Sequence, residues 1–537
     1  MAAPIAEVAE GRLQGYTKKN LDGEDFFCFI GIPYAQPPVG KLRFKDPVPV
    51  KPWQGTKDAT KEGSVCYQRD FFTNTYKGSE DCLFINVFTK SLPGQKSTLR
   101  PVMVYIHGGG FIFESSSPET FGPEHLITED VVFVSFNYRL GIVGFLSSED
   151  ASLGVPGNVG LKDQVLALKW IKNNVKNFNG DPDNITIFGN SAGSTCVHLH
   201  VLSKMSKGLF HRAILQSGTV FNPWSWGSRN QAMDIVKHMG RNDDNEAEAM
   251  EILREAPIGE LYEAQEKIYD NLSANLLRPF GPVIEYPNDT AFMTRHPIDT
   301  LASGEYNKVP MLFGYNLTEG MFTEYNKRIF PQHPETVLGS DSVVDWQMCL
   351  EKGSDSFAVA SRRIQDFYWS GVNGNDKYMP FTDCLYMIGV YSTIRNHIKS
   401  SDSPIYLYRM SFEGGLNTLK VFGGLTDLPG VCHADELGYL FKNSALPDVP
   451  KGSREDKTIR TFVELWTNFA ASGNPTLSSS TRGKSNLEWK PMESGKIHLL
   501  DIGDEPKLVT NPESERSRIE FWEGIFELSP KTANFLS

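Results

Sequence analysis

Six short stretches of the chain run apolar without polar alternation: PVMVYIH (101–107), VVFVSFNYR (131–139), NITIFGN (184–190), RAILQSG (212–218), VPMLFGY (309–315) and PIYLYRMSF (404–412). A strand with one wet face alternates. A strand buried on both faces, as in a parallel sheet flanked by helices, reads as these do. Helical patterns lie between them. Leu161, Val165, Leu168, Ile171 and Val175 recur at spacings of three and four, which makes one apolar stripe along 158–177. A second helix over 454–473 ends at the stop signal Gly473-Asn474-Pro475. Strands alternating with helices predict an α/β fold with a mostly parallel central sheet and helices on both faces. No repeat, low-complexity tract or linker interrupts residues 1–537, which read as a single domain. Helical excursions are expected at about 220–300 and 335–400, where they would shape a substrate entrance.

The stretch TIFGNSAGST carries the first candidate chemistry: the predicted strand runs into Gly189-Asn190-Ser191-Ala192-Gly193, and a helix can begin just after it. With glycine and serine near 7% each, such a G-x-S-x-G match arises by chance in roughly one chain in five of this size. Context is what gives it weight. A serine at a tight strand-to-helix bend is pushed outward at the carboxyl edge of the sheet, and glycines on either side avoid a collision with neighbouring backbone. That is a nucleophile elbow.

A serine hydroxyl needs a base at neutral pH. Among the 11 histidines, His198, His200 and His211 point away from the elbow along its own helix, and His107 precedes a glycine run. His433, in LPGVCHADELGYLF, lies late in the chain between a strand and a helix. Serine hydrolases built on such an elbow use the chain order Ser, then Asp or Glu, then His. That order selects His433 as base and Glu319, just beyond the strand at 309–315, as the acid that orients it. Asp435 and Glu436 sit too close to His433 to suit the order. The glycines of YIHGGGF, with Ala192, can supply backbone N–H groups to a tetrahedral oxyanion, each worth on the order of a hundredfold or more in rate. Phe71, Phe72, Phe111, Trp224 and Trp226 are candidate pocket residues.

Charge narrows the partners. With 65 acidic against 53 basic residues the chain carries a formal charge of −12, which argues against nucleic acid. No zinc-type cysteine spacing or phosphate-cradling loop is present, so no metal or organic cofactor is expected. No apolar run is long enough for a membrane span. The N-terminal MAAPIAEVAEGRLQG has neither a basic start nor a long apolar stretch, which predicts a soluble intracellular protein unless a leader was removed. Cys66 and Cys82 can close a short disulfide. Cys28, Cys196, Cys349, Cys384 and Cys432 lie mostly in apolar stretches and read as buried thiols. Sequons occur at Asn184, Asn271, Asn288 and Asn316, of which Asn184 is poorly placed and Asn316 would put a sugar beside Glu319.

Across nearly its full length the chain resembles the type-B carboxylesterase and cholinesterase family. The blocks that carry the likeness are GIPYAQPPVGKLRFKDP (31–47), SEDCLFINVF (79–88), HGGGF (107–111), VSFNYRLGIVGFL (134–146), GNVGLKDQVLALKWIKNNVKNFNGDP (157–182), the elbow, AILQSG (213–218) and GVCHADELGYLF (430–441). Within the family it looks most like insect α-esterases, of lepidopteran type. The resemblance implies an α/β-hydrolase fold with helical excursions forming a gorge. It places the triad on Ser191, Glu319 and His433, the oxyanion donors on Gly109, Gly110 and Ala192, a buried serine of the histidine network on Ser217, and a disulfide on Cys66 and Cys82. It also implies hydrolysis of hydrophobic esters through an acyl-serine, in xenobiotic and insecticide detoxification, with organophosphates as covalent inhibitors. Two alternatives remain, a juvenile hormone or pheromone esterase and a non-catalytic adhesion relative. Most members carry glutamate before the nucleophile; this chain has Asn190, and juvenile hormone esterases typically have glutamine.

Overall fold

The computed structural model describes residues 3–70, 73–94, 98–242, 244–271, 279–329, 341, 343–344, 350–370, 376–476 and 487–529. Phe71, Phe72 and Cys349, and part of the second expected excursion, lie outside them. The large sheet has eleven strands, numbered here β1 (Tyr16–Lys19), β2 (Asp25–Pro33), β3 (Phe84–Thr89), β4 (Arg100–Ile106), β5 (Val132–Phe136), β6 (Gly180–Asn190), β7 (Arg212–Gln216), β8 (Met311–Asn316), β9 (Ile405–Met410), β10 (His498–Ile502) and β11 (Lys507–Thr510). Their order across the sheet is β11-β10-β9-β8-β7-β6-β4-β5-β3-β2-β1. From β5 through β10 every neighbouring pair is parallel, and antiparallel strands complete both margins.

All six apolar runs are central strands of this sheet. The five strands not expected from pattern include the short polar margins, Tyr16–Lys19 and Lys507–Thr510, whose residues are half-buried or exposed and carry no apolar run. Along β4, Val102, Val104 and Ile106 face one core and Met103 and Tyr105 the other, so both faces are dry as the pattern required. The first core is covered by α1 (Val159–Asn174) and α2 (Ala192–Leu202), with the stripe Leu161, Val165, Leu168 and Ile171 buried in it. The second is covered by α3 (Arg454–Ser472), through Ile459, Phe462, Trp466 and Phe469. Ser453 caps α3 by accepting from the Asp456 N–H, and Gly473 ends it at φ 81°, a left-handed turn that a side chain would resist. This is an α/β-hydrolase fold.

Between β7 and β8 lie helices Ala232–His238, Glu246–Glu255, Ile258–Asn271 and Pro297–Ser303; between β8 and β9 lie Phe322–Ile329, Asp355–Tyr368, Met379–Thr382 and Ile388–Ser400. No helix among the described residues is long and apolar enough to cross a membrane. Cys66 and Cys82 are joined as a disulfide with their Cα atoms 4.8 Å apart, and Cys28, Cys196, Cys384 and Cys432 are buried thiols.

Candidate active site

After β4 the chain adds β5 on one side, then crosses β4 to lay β6 on the other. Such a reversal opens a crevice at the carboxyl ends of the two strands, the natural ligand site of an open α/β sheet. β4 delivers the 108–110 glycines to that crevice and β6 delivers Ser191.

Ser191 sits at φ 58°, ψ −127°, between the last residue of β6 and the first of α2. The bend is held by Ser191 N–H donating to Gln216 O at 2.8 Å and Thr195 N–H donating to Ser191 O at 3.0 Å. The flanking glycines are sterically required. A Cβ on Gly193 would lie 2.1 Å from Ile106 O, and one on Gly189 would lie 2.6 Å from the same atom. A non-glycine residue held at this φ is strained, and such strain survives only where the surroundings fix it. Ser217, Phe111 and Ala434, at φ 56°, 66° and 60°, share the trait on the neighbouring loops.

The loop after β8 carries Glu319, wholly buried. Its Oε1 accepts from the Ser217 hydroxyl at 2.5 Å and from the Asn316 N–H at 2.7 Å, while Oε2 accepts from His433 Nδ1 at 2.6 Å. A carboxylate at Nδ1 fixes the tautomer: the proton stays on Nδ1 and the Nε2 lone pair is left to act as base. Tyr386 and Phe322 pack on the imidazole at ring-centroid distances of 4.6 and 5.4 Å. No hydrogen bond joins the Ser191 hydroxyl to His433 among the described residues; catalytic contacts of this kind often tighten only when substrate is bound.

Their loops are instead tied one residue before the serine and three after the histidine. Glu436 Oε1 accepts from Asn190 Nδ2 at 2.7 Å and Gln216 Nε2 at 3.0 Å, and Oε2 accepts from Asn316 Nδ2 at 2.7 Å. Burial, and then the charge of Glu319, push the Glu436 carboxyl upward, while the Asn316 amide opposes them. Three amide donors need an acceptor-only partner, so the ionised form fits the site. Its closeness to His433 in sequence disqualifies Glu436 as the orienting acid. That same closeness lets it link the histidine loop to the elbow and to the Glu319 loop.

The N–H groups of Gly109, Gly110 and Ala192 donate to no acceptor among the described residues. For Ala192 this follows from its place in the first turn of α2. For Gly109 and Gly110, at φ 87° and 59°, it follows from left-handed backbone that turns the peptide planes off the strand direction. Gly110 is buried and Gly109 half-buried, and two unpaired N–H groups on one loop are free to meet an incoming acceptor. His107, just before them, is a structural residue. It stacks on Tyr138 at 4.4 Å, and burial drives its pKa down to about 3, which keeps it neutral.

The other candidates divide. Trp224 lies close to the elbow: a Cβ on Gly218 would sit 3.0 Å from its Cη2 and 2.4 Å from Ser191 O. Its ring is 5.8 Å from Tyr386, which itself packs on His433. Phe111 is fully buried, with its ring against Phe145. Trp226 donates to Val220 O and stacks on His296. His198 and His200 are buried packing residues, bonded to His397 and to Gln164 and Ser206. Asn316 is wholly buried and its amide is used twice, by Cys432 O and Glu436, so its sequon is closed in the folded protein.

A family model described as the carboxylesterase family matches residues 2–522. Esterase B1 of Culex pipiens is 32% identical over 96% of this chain and 97% of its own length. Juvenile hormone esterase of Tribolium castaneum is 32% identical over 96% and 91%, and Venom carboxylesterase-6 of Apis mellifera 34% over 97% and 94%. Among solved structures, juvenile hormone esterase from Manduca sexta, with OTFP covalently attached, superposes with a TM-score of 0.85 at 29% identity, covering 98% of this chain and 100% of that one. An elbow serine, a buried carboxylate–imidazole pair and two orphaned glycine amides thus meet at the switch point of a chain whose insect relatives are esterases along its whole length, and the chain belongs to the carboxylesterase family as a serine carboxylesterase.

Proposed function

We propose that the protein hydrolyses hydrophobic carboxylic esters through an acyl-enzyme on Ser191. His433 Nε2 takes the serine proton as the hydroxyl attacks the ester carbonyl, and the oxyanion settles on the N–H groups of Gly109, Gly110 and Ala192. His433 then passes the proton to the leaving alcohol, which departs. A water then gives a proton to the same nitrogen as its oxygen attacks the acyl carbon, and that proton passes to Ser191 Oγ as the acyl–serine bond breaks and the acid leaves. Glu319 stabilises the imidazolium in each half-reaction. The observation that carries this is the buried Glu319–His433 hydrogen bond, with Ser217 and Asn316 holding the carboxylate from its other side. A nitrophenyl or naphthyl ester should give a burst stoichiometric with enzyme, and a phosphorylating inhibitor should label Ser191. A label on another residue, or none, would remove the reading.

Two substrate classes suit this site. One is xenobiotic and insecticide esters, with organophosphates trapped on Ser191; the other is juvenile hormone or a pheromone ester. The second gains support from the juvenile hormone esterases among the relatives. A panel varying acyl and alcohol groups decides between them: a steep preference for a long-chain methyl ester favours the hormone class, and broad turnover favours the xenobiotic class. The Cys66–Cys82 disulfide belongs to an oxidising compartment, so this reading places the protein outside the cytosol, against the expectation of an intracellular enzyme.

Asn190→Glu tests the residue before the nucleophile. The introduced carboxyl would face Glu436 where an amide now donates, and two carboxyls at that range share one proton. We expect acylation to remain measurable with kcat lowered by about tenfold, and the acid limb of the pH–rate profile moved upward. An unmoved profile would mean that the two side chains do not communicate.

A further inference from the structure

We propose that Gln68 is a positioning residue for the oxyanion loop, acting through the main chain of Glu114. The proposal rests on Gly109 and Gly110 serving as oxyanion donors. Gln68 is 2% exposed, and its side-chain amide grips both backbone groups of Glu114: Oε1 accepts from the Glu114 N–H at 2.7 Å and Nε2 donates to Glu114 O at 2.9 Å. The same Nε2 also donates to Cys66 O at 2.9 Å.

What is gripped is unusual. Glu114 sits at φ 87°, where an L side chain crowds its own carbonyl, and such a residue keeps that conformation only if its surroundings insist on it. Glu114 directly follows the turn that Gly109 opens. Gly109 O accepts from the N–H groups of Ile112 and Phe113 at 3.0 and 3.1 Å, and a Cβ on Gly109 would lie 2.8 Å from the Glu114 Cβ. Gly109 thus packs closely against Glu114 across the turn, and a shift of Glu114 reaches Gly109 through this packing and the adjoining Phe113 N–H bond. Two residues on, the chain is fixed: Ser116 donates through its N–H and its hydroxyl to Asn137 Oδ1 at 2.8 and 2.9 Å, and accepts from Asn86 Nδ2 at 2.9 Å. Strand β4 holds the upstream end. Gln68 supplies the remaining clamp, across the turn. It is itself carried by a short antiparallel pair, Gln68–Arg69 with Tyr76–Lys77, and tethered two residues away by the Cys66–Cys82 disulfide. Gln68 touches neither substrate nor nucleophile. Its work is to keep the Gly109 and Gly110 N–H groups where the oxyanion will form.

The experiment compares wild type, Gln68→Ala, Gln68→Glu and Gln68→Ala with Glu114→Gly, each folded and counted by titration of its reactive serine. Gln68→Ala should lower kcat by about tenfold with KM within about twofold, because only the tetrahedral species uses the donors. Affinity for a trifluoromethyl ketone, whose adduct carries the oxyanion, should fall by the same factor. Gln68→Glu keeps the acceptor for the Glu114 N–H and loses the donor, and should show the same pattern more weakly. Glu114→Gly removes the reason for the clamp, since glycine accepts φ 87° freely, and should restore most of the kcat lost in Gln68→Ala. Wild-type kcat and ketone affinity in either Gln68 variant, a loss confined to KM or to the fraction of folded enzyme, or no rescue by Glu114→Gly would each overturn the proposal. If Gln68→Ala does not fold, Gln68→Glu decides by the same split. A wild-type protein without a burst or a Ser191 label fails earlier, at the reading on which this rests.

Discussion

Ser191→Ala is expected to fold as the parent does and to lose ester turnover by about a millionfold, the scale seen when the serine of a Ser-His-acid triad is removed. The change deletes one oxygen. It leaves both backbone bonds of the elbow, Ser191 N–H to Gln216 O and Thr195 N–H to Ser191 O, untouched. Alanine pays the same backbone strain at φ 58° as serine does, so stability should stay within about 1 kcal/mol. The residual rate would come from the oxyanion donors and binding alone, which can still exceed the rate in water. Steady-state turnover of a naphthyl ester, beside urea unfolding of the same preparation, measures both quantities. Retention of a tenth of the parent kcat by a folded Ser191→Ala protein would take the nucleophile's role from Ser191.

Glu436 is the residue whose loss should be felt most widely. Three amide groups from three segments, Asn190, Gln216 and Asn316, donate to its two oxygens in a site without solvent. In Glu436→Gln one acceptor oxygen becomes an NH2 group, so at least one amide faces a donor. A buried donor without a partner costs about 1–3 kcal/mol. In Glu436→Ala the Asn190 and Gln216 amides are stranded while Asn316 keeps only Cys432 O, and we expect about 3–5 kcal/mol of lost stability, the range for breaking a buried charged network. Activity should fall as well. Asn190 adjoins Ser191, the Asn316 N–H holds Glu319, and Glu436 lies three residues beyond His433. Loosening this link displaces all three reacting segments, and misplacement by about an ångström can cost a hundredfold in rate. We expect kcat to fall by about ten- to a hundredfold in Glu436→Gln, with KM changing less. An unfolding free energy and a kcat both equal to the parent's would show that the three amides find other partners.

These two residues differ in how far the sequence reveals them. Ser191 is legible because the elbow is local: a dry strand, two glycines that steric contact demands, and a helix start all fall within some 15 residues. The central strands are legible for a similar reason, since burial on both faces leaves an unbroken apolar run. Glu319 and His433 follow from chain order, a rule about folds of this kind. Glu436 obeys no such rule. Its partners lie 246, 220 and 120 residues away in sequence, and only the packed sheet brings their amides to one carboxylate. Gln68 is hidden in the same way, 46 residues from the main chain it grips. Phe111, beside the glycine run, is buried with its ring against Phe145.

The long reach of the Asn190–Glu436 bond also bears on when the enzyme comes alive. At ordinary elongation speeds the ribosome needs on the order of tens of seconds to travel from the first of these residues to the second. Throughout that interval the serine has been synthesised but its base has not, and the elbow lacks the carboxylate that ties it down. On the proposed roles, a nascent chain cannot turn over an ester until the segment carrying His433 and Glu436 has been made and packed against the elbow.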